Sequence, residues 1–163
     1  MDIRVDETAG PDALQLLVPA DPGLLAVARQ RLTRWLGELG VASDDRFGIV
    51  LACSEALAFA IERVQPSGAI AVNVSYENGT LKARVRDFTP WTGPARSPDR
   101  VRRLLLIARL TDWFDIGYTP GGGEVRLAWK PQEIKVAAQA LPARAASPAR
   151  AKRPVLKIAP VKA

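Results

Sequence analysis

Strand-like segments are grouped in this sequence and stand apart from the helix-like segments, and this order restricts the fold more than any other feature. One half-buried strand is predicted at residues 13–18. A hairpin follows at residues 69–86 around Asn78-Gly79, the strongest short hairpin signal, and a last hairpin at residues 113–129. Strict strand–helix alternation is missing, which disfavours a doubly wound sheet. We predict an α+β fold, a two-layer α/β sandwich whose mostly antiparallel sheet is covered on one face by three helices.

The three helices are predicted from their end signals and their apolar spacing. The first begins at Asp21-Pro22, an N-cap residue followed by proline, and ends at Gly40. The second runs from Ser43 to about Val64, and the third begins near Asp99. The predicted buried stripe of the second helix consists of Phe47, Val50, Leu51, Ser54, Leu57, Ala58, Ile61 and Val64. Its other notable face, stacked by spacings of three and four residues, consists of Gly48, Ala52, Glu55, Phe59 and Glu62.

The net positive charge lies entirely at the C-terminal end. Up to Lys130 the sequence has 16 Lys/Arg and 16 Asp/Glu, whereas residues 131–163 have seven Lys/Arg and only Glu133 as an acid. This Ala/Pro/Lys/Arg segment lacks aromatic residues and cannot bury enough apolar surface to offset its ordering entropy, so we predict that it is disordered. The predicted organisation is an N-terminal extension at residues 1–11, a domain at 12–130 and a basic tail at 131–163.

Composition excludes several kinds of chemistry. The sequence has no histidine and one cysteine, which rules out Ser-His-Asp and Cys-His catalysis, histidine metal sites and an internal disulfide framework. The acidic N-terminus does not resemble a signal peptide, and no apolar run approaches the roughly 20 residues of a membrane span, so we expect a cytoplasmic protein. P-loop and GxGxxG motifs are missing, and the run Gly121-Gly122-Gly123 is either a weak cofactor-binding candidate or a permissive hairpin turn.

Five segments stand in the order and spacing of one known family. LVPADPGLLAVARQRLTRWL resembles its opening strand and first helix, and IVLACSEALAFAIERV resembles the helix with its first ATP motif, Ser-Glu-Ala-x-x-Asn-Ala. VRDFTPW matches its Asp-x-Gly-x-Gly loop in position, RVRRLLLIARLTDWFDI its Gly-x-Gly helix start, and TPGGGEVRL its closing hairpin. The family is that of the bacterial serine-kinase anti-sigma factors, within the superfamily of histidine kinase-like (GHKL) ATPase domains. The resemblance implies a Bergerat-like ATPase fold.

Two acidic residues of these motifs are present in this sequence, but the residue that holds magnesium in the family is replaced. The resemblance gives Glu55, next to Ser54, the role of catalytic base, and it gives Asp87 a hydrogen bond from the adenine amine. Asp87 alone is equally suited to capping a turn. The asparagine that holds magnesium in the family is replaced by Phe59, which has no oxygen for a hard cation and suits a core or a packed interface.

The phosphate-binding glycines of the family are also replaced. Thr89 and Trp91 stand at the two loop glycines, where a β-carbon obstructs a close approach to the nucleotide. Val101 and Arg103 stand at the glycines of the helix start, where bare amides would hold phosphate. Three arginines of this helix start, Arg100, Arg102 and Arg103, suit either a phosphate contact or a solvated helix face. We therefore interpret the chain as a pseudokinase and expect no bound cofactor, with ATP and magnesium only if the site is active.

The leading hypothesis is an anti-sigma-factor-like regulatory module that acts by protein contact in bacterial transcription or stress signalling. The resemblance implies a sigma factor or an anti-anti-sigma (STAS-like) protein as partner, and usually a homodimer. Interface candidates are Trp91, Phe59, Arg102 and Arg103, with Trp35 and Trp113 as aromatic anchors or core residues. The alternative is an active ATP-dependent serine/threonine kinase with a divergent site. Weak nucleic-acid contact is a third hypothesis for the basic tail, whose other interpretation is a solubilising segment.

Overall fold

The computed structural model describes residues 5–64, 67–90, 98–132 and 134, which form a helical layer packed on an antiparallel sheet. In chain order its elements are β1 (Asp6–Ala9), β2 (Ala13–Pro19), α1 (Leu25–Glu38), α2 (Ser43–Ile61), β3 (Ala69–Glu77), β4 (Thr80–Asp87), α3 (Pro98–Leu110), β5 (Trp113–Thr119) and β6 (Gly122–Trp129). In the described part of the chain the six strands are ordered β1-β2-β3-β4-β6-β5, each antiparallel to its neighbours. The predicted two-layer α+β fold is confirmed.

The residues that the sequence marks as helix ends and turns adopt the predicted local structure. Asp21 accepts a hydrogen bond from the Gly23 amide at 2.8 Å, and a 3₁₀ turn at Pro22–Leu24 leads into α1. Gly40 has a φ of 86°, the left-handed conformation expected after a helix. Asn78 and Gly79 have φ values of 50° and 77°, so both central residues of the β3–β4 turn are left-handed, which matches the strand twist.

The core lies between the helices and one face of the sheet. Along β4, buried residues alternate with exposed ones, so every second side chain points away from the helices. The indole N–H groups of two tryptophans in this layer have hydrogen-bond partners. The Trp35 indole donates to the carbonyl of Gly10 at 2.9 Å, and the Trp129 indole donates to the carbonyl of Leu110 at 2.6 Å. Trp35 is therefore a core residue rather than a surface anchor, whereas Trp113 is 52% exposed.

Three predictions about the elements are wrong in detail. Residues 6–9, predicted as an extension, form β1 and pair with β2. Phe47, predicted to be buried, is 71% exposed, because α2 lies between α1 and α3 over the sheet and is apolar on several sides. The helix also ends at Ile61, before the predicted Val64.

The start of the predicted basic tail contacts the domain. The Gln132 amide donates to Asp45 at 3.2 Å, and Ile134 forms an antiparallel bridge with Val41. The domain therefore extends past the predicted boundary at Lys130. The prediction of disorder began at residue 131, and its remaining part, residue 133 and residues 135–163, lies outside the described residues.

Strand β1 is held to α1 by a charged contact. Arg31 and Arg34 donate to the two carboxylate oxygens of Glu7 at 2.6 and 2.7 Å. Burial alone raises the pKa of Glu7, but the hydrogen bonds and positive charges of these arginines outweigh it and leave the pKa below the usual 4.5. The carboxylate therefore contributes stability above about pH 4.5, and this contribution is lost as the pH falls through the lower folded-state pKa.

We expect Glu7→Gln to lower the free energy of unfolding by about 1 kcal/mol at neutral pH, because the amide cannot pair with both guanidinium groups. Urea denaturation should show this difference at about pH 7 and a smaller difference at a pH below 4.5. The matched control is Glu38→Gln, since Glu38 is 66% exposed and lies 3.9 Å from Arg34. An equal effect of Glu7→Gln at both pH values would contradict the assignment.

Candidate functional site

The residues singled out in the sequence meet in two clusters on the helical side of the sheet. One, here called the helix cluster, joins Glu55 of α2 and Glu62, the residue that follows α2, to Arg100 and Arg103 of α3. The other, here called the aspartate cluster, surrounds the carboxylate of Asp87 at the end of β4. Consecutive residues at the end of α2, Glu62 and Arg63, connect the two clusters.

Arg103 lies between two carboxylates in the helix cluster. Its guanidinium donates to Glu55 at 2.7 Å and lies 2.9 Å from Glu62. Burial alone lowers the pKa of Arg103, but the hydrogen bonds and negative charges of the two glutamates outweigh it and leave the pKa raised. The carboxylate of Glu55 therefore forms an ion pair with an arginine of the same chain, which is always charged.

Phe59 lies beneath this cluster and belongs to the core. Its side chain is 4% exposed, and the guanidinium of Arg100 lies 5.6 Å from the centre of its ring. Arg100 also lies 3.6 Å from Glu62. Of the two interpretations that the sequence left open for Phe59, a core residue or an interface residue, this burial favours the core. Arg102 is exposed, as an interface candidate must be, whereas Arg103 is engaged with the glutamates.

The carboxylate of Asp87 is buried and accepts bonds from three directions. Arg63 donates to Oδ2 at 3.2 Å, and both side chains are at most 8% exposed. The amides of Thr89 and Gly123 donate to Oδ1 at 3.1 and 3.2 Å. The guanidinium of Arg63 also lies 4.7 Å from the centre of the Tyr118 ring. Asp87 thus holds the end of α2, the segment after β4 and the start of β6 together.

The glycine run after β5 packs against Asp87 at two of its three positions. Gly122 has a φ of 135°, and a Cβ there would overlap the carbonyl oxygen of Asp87. A Cβ at Gly123 would lie 2.9 Å from the Asp87 carboxylate and 3.4 Å from Arg63. Gly121 is exposed, with Thr119 as its nearest neighbour at 3.8 Å. Two of these glycines therefore bring backbone close to the chain's own aspartate.

Sequence analysis did not identify two residues of the aspartate cluster, Arg63 and Tyr118. Arg63 had a weak signal, as a single cation at the end of an apolar helix, and Tyr118 had none. Arg103 was predicted as a replaced glycine and an interface candidate, whereas it contacts both glutamates of the predicted second face of α2. Trp91 lies outside the described residues.

In the part of the chain that the structure describes, the residues do not favour a metal site, a reactive cysteine or a membrane-spanning helix. There, no group of three or more Cys, Asp or Glu residues is arranged to hold a metal ion. Burial raises the pKa of the Cys53 thiol to about 12, so it is a poor nucleophile at neutral pH. Among the described helices, none is long and apolar enough to cross a membrane.

Comparison with known proteins gives a family and a likeness of fold to solved structures. A family model described as the histidine kinase-like ATPase domain matches residues 18–129. The crystal structure of the RsbU and RsbW domains of Rv1364c from Mycobacterium tuberculosis superposes with a TM-score of 0.60 at 23% identity. The match covers 73% of this chain and 32% of that one, so this chain spans about a third of the length of its match. At this identity the likeness shows the fold alone. No curated protein matches the chain.

Proposed function

Because this chain belongs to the family of histidine kinase-like ATPase domains, we propose that it is a pseudokinase of that family, a regulatory module that binds proteins and has lost its nucleotide chemistry. One observation carries the proposal: each of the two acidic residues that the family resemblance assigns to ATP chemistry is held by an arginine of the same chain. Arg103 donates a hydrogen bond to the carboxylate of Glu55, and Arg63 donates one to the carboxylate of Asp87.

The Arg103 contact works against Glu55 as a base. A general base must accept a proton from the attacking hydroxyl or water within hydrogen-bond reach. The Arg103 guanidinium lies 2.7 Å from Oε2 of Glu55, so an attacking hydroxyl or water has to share this carboxylate with a fixed donor of the same chain. Glu62 binds the same guanidinium from the other side and keeps it in place.

The Asp87 contacts work against adenine recognition. A carboxylate has about four lone-pair sites, and three neighbours of Asp87 already donate to this one. Arg63 and Asp87 are both buried, so an adenine amine would have to displace part of a buried ion pair. Phe59 adds a third obstacle, because its ring offers no oxygen to magnesium.

The regulatory part of the proposal rests on the resemblance to anti-sigma factor kinases and on the fold likeness to the RsbU and RsbW domains of Rv1364c. In this proposal the partner is a sigma factor or a STAS-like anti-anti-sigma protein in the cytoplasm of a bacterium. Binding then depends on the folded surface of the module rather than on phosphorylation.

An active serine/threonine kinase is the second candidate. The observation in its favour is the 21% exposure of the Glu55 side chain, since Arg103 would only need to turn toward a triphosphate to release it. In that case Glu55 is the base and magnesium binds through phosphate and water.

We expect partner capture to be independent of nucleotide. The tagged full chain should capture a sigma factor or an anti-anti-sigma protein from its native cytoplasm equally well with magnesium-ATP and with EDTA. Capture is followed by mass spectrometry, and a variant carrying Arg103→Gly serves as the comparison, because it frees Glu55. Capture that requires magnesium-ATP, or phosphorylation of the captured protein, favours the active kinase instead.

A further inference from the structure

The sheet face opposite the helices carries a groove of about 540 Å³, here called the open-face groove. Two neighbouring rows of cross-strand residues form it. One row runs Ala13, Ser75, Lys82, Ala128 and Trp113, and the other runs Gln15, Asn73, Arg84 and Arg126. Small residues in the first row leave a depression beside the long side chains, and no described helix covers this face.

The described residues that line the groove include three cations, Lys82, Arg84 and Arg126, and no carboxylate. Carboxylates lie close by: Glu124 pairs with both arginines, Asp115 lies 3.7 Å from Arg126, and Glu77 lies 3.8 Å from Lys82. Glu124 is only 18% exposed, whereas the two arginines are 60% and 46% exposed. Each guanidinium has five N–H donors, so donors remain on the solvent side.

Trp113 provides an apolar contact at one end of the groove. Its indole is 52% exposed, beside Ala128 in the same row. Exposed tryptophan and arginine side chains are the types enriched at the energetic centres of protein interfaces. The groove therefore combines an apolar anchor point with a triangle of cations.

We propose that the open-face groove binds an acidic segment of a partner protein, with its carboxylates on Lys82, Arg84 and Arg126 and an apolar side chain against Trp113. The inference adds a surface and a partner chemistry to the proposed function, and it rests on that function only in that the chain binds proteins. It is independent of whether nucleotide binds on the helical side.

Other occupants fit this lining less well. The chain's own segment 131–163 has seven Lys/Arg and one acid, so it does not complement a lining that has three cations and no carboxylate. A nucleic acid is disfavoured because only one described aromatic residue lines the groove for stacking. Self-association through this face is an outcome of the test below.

The test uses the full chain and a short fluorescein-labelled peptide in which glutamate alternates with serine around one central leucine. Fluorescence anisotropy should show binding that weakens with salt. The variant Arg84→Glu/Arg126→Glu should bind at least about tenfold more weakly, and Trp113→Ala about fivefold more weakly. The control Arg29→Glu/Arg109→Glu makes the same charge change on α1 and α3 and should bind like the wild type. Peptides with glutamine for glutamate, or serine for the leucine, should also bind weakly.

Circular dichroism must show that each variant is folded, and Arg84→Gln/Arg126→Gln should fall between wild type and the double charge reversal. The proposal is overturned if the wild type does not bind the acidic peptide, or if the control variant loses binding equally. It is also overturned if a single-stranded oligonucleotide binds the groove more tightly than the peptide, or if the groove variants abolish self-association instead. Nucleotide-independent capture of a sigma factor is measured in a separate experiment, so the groove proposal and the proposed function can be contradicted independently of each other.

Discussion

Asp87→Ala is expected to lower the free energy of unfolding by about 3–5 kcal/mol, because it leaves Arg63 as a buried charge without its partner. Arg63 is 8% exposed and donates to Asp87 at 3.2 Å. The substitution also removes the acceptor for the amides of Thr89 and Gly123. Unpaired buried donors add to the cost of the uncompensated charge.

Urea denaturation at neutral pH measures this effect, and a double-mutant cycle assigns it. Arg63→Met combined with Asp87→Ala removes both charges and should recover a large part of the lost stability. The matched control is Asp115→Ala, because Asp115 is 47% exposed and lies 3.7 Å from Arg126, so it should cost less than about 1 kcal/mol. A loss at Asp87 no larger than that at Asp115 is inconsistent with a buried structural pair.

Gly122→Ala is expected to destabilise the domain by about 3 kcal/mol or more, through strain and steric overlap together. A φ of 135° lies in a region that residues with a β-carbon rarely adopt. The new Cβ would overlap the Asp87 carbonyl oxygen and lie 2.9 Å from the Cα of Phe88. Relief requires β4 and β6 to separate at the aspartate cluster.

The neighbouring glycine provides the control for this substitution. Gly121 is exposed, and a Cβ there has Thr119 as its nearest neighbour at 3.8 Å, so Gly121→Ala should change stability by less than about 0.5 kcal/mol. Thermal and urea unfolding of both variants give the comparison. Equal stability of the two variants would show that the close packing at Gly122 is not needed.

Much of the fold could be predicted because its signals are local. Asp21-Pro22 marks a helix start, and Asn78-Gly79 has the φ values that a tight hairpin requires. Strand alternation in β4 separates its core residues from its exposed cations. These features depend on neighbouring residues only, so the sequence contains them in full.

Features that depend on tertiary packing were not predictable. Strand β1 has few apolar residues, and its pairing depends on β2 and on the contact of Glu7 with α1. The buried side of α2 could not be identified from periodicity, because apolar residues surround most of this helix and Phe47 points away from the core. For the same reason the candidate site was predicted only in part.

The acidic members of the site were visible as motif residues, but their pairing with arginines was not. Arg103 is 48 residues from Glu55 in sequence, and Arg63 is 24 residues from Asp87. Such pairs depend on how α2 meets α3 and on where β4 ends, and a single sequence contains neither. Both arginines bear directly on the proposed loss of nucleotide chemistry.

Calorimetric titration of the full chain with magnesium-ATP tests the central claim most directly. The comparison variant carries Phe59→Asn, Thr89→Gly, Trp91→Gly and Arg103→Gly, which return the family's residues and release Glu55. Each well-placed charge-assisted contact is worth about 1.5–3 kcal/mol, and each 1.4 kcal/mol is about tenfold in affinity. The wild type should therefore show no binding tighter than millimolar, and the variant should gain binding. Magnesium-dependent, micromolar binding of ATP by the wild type would contradict the pseudokinase account.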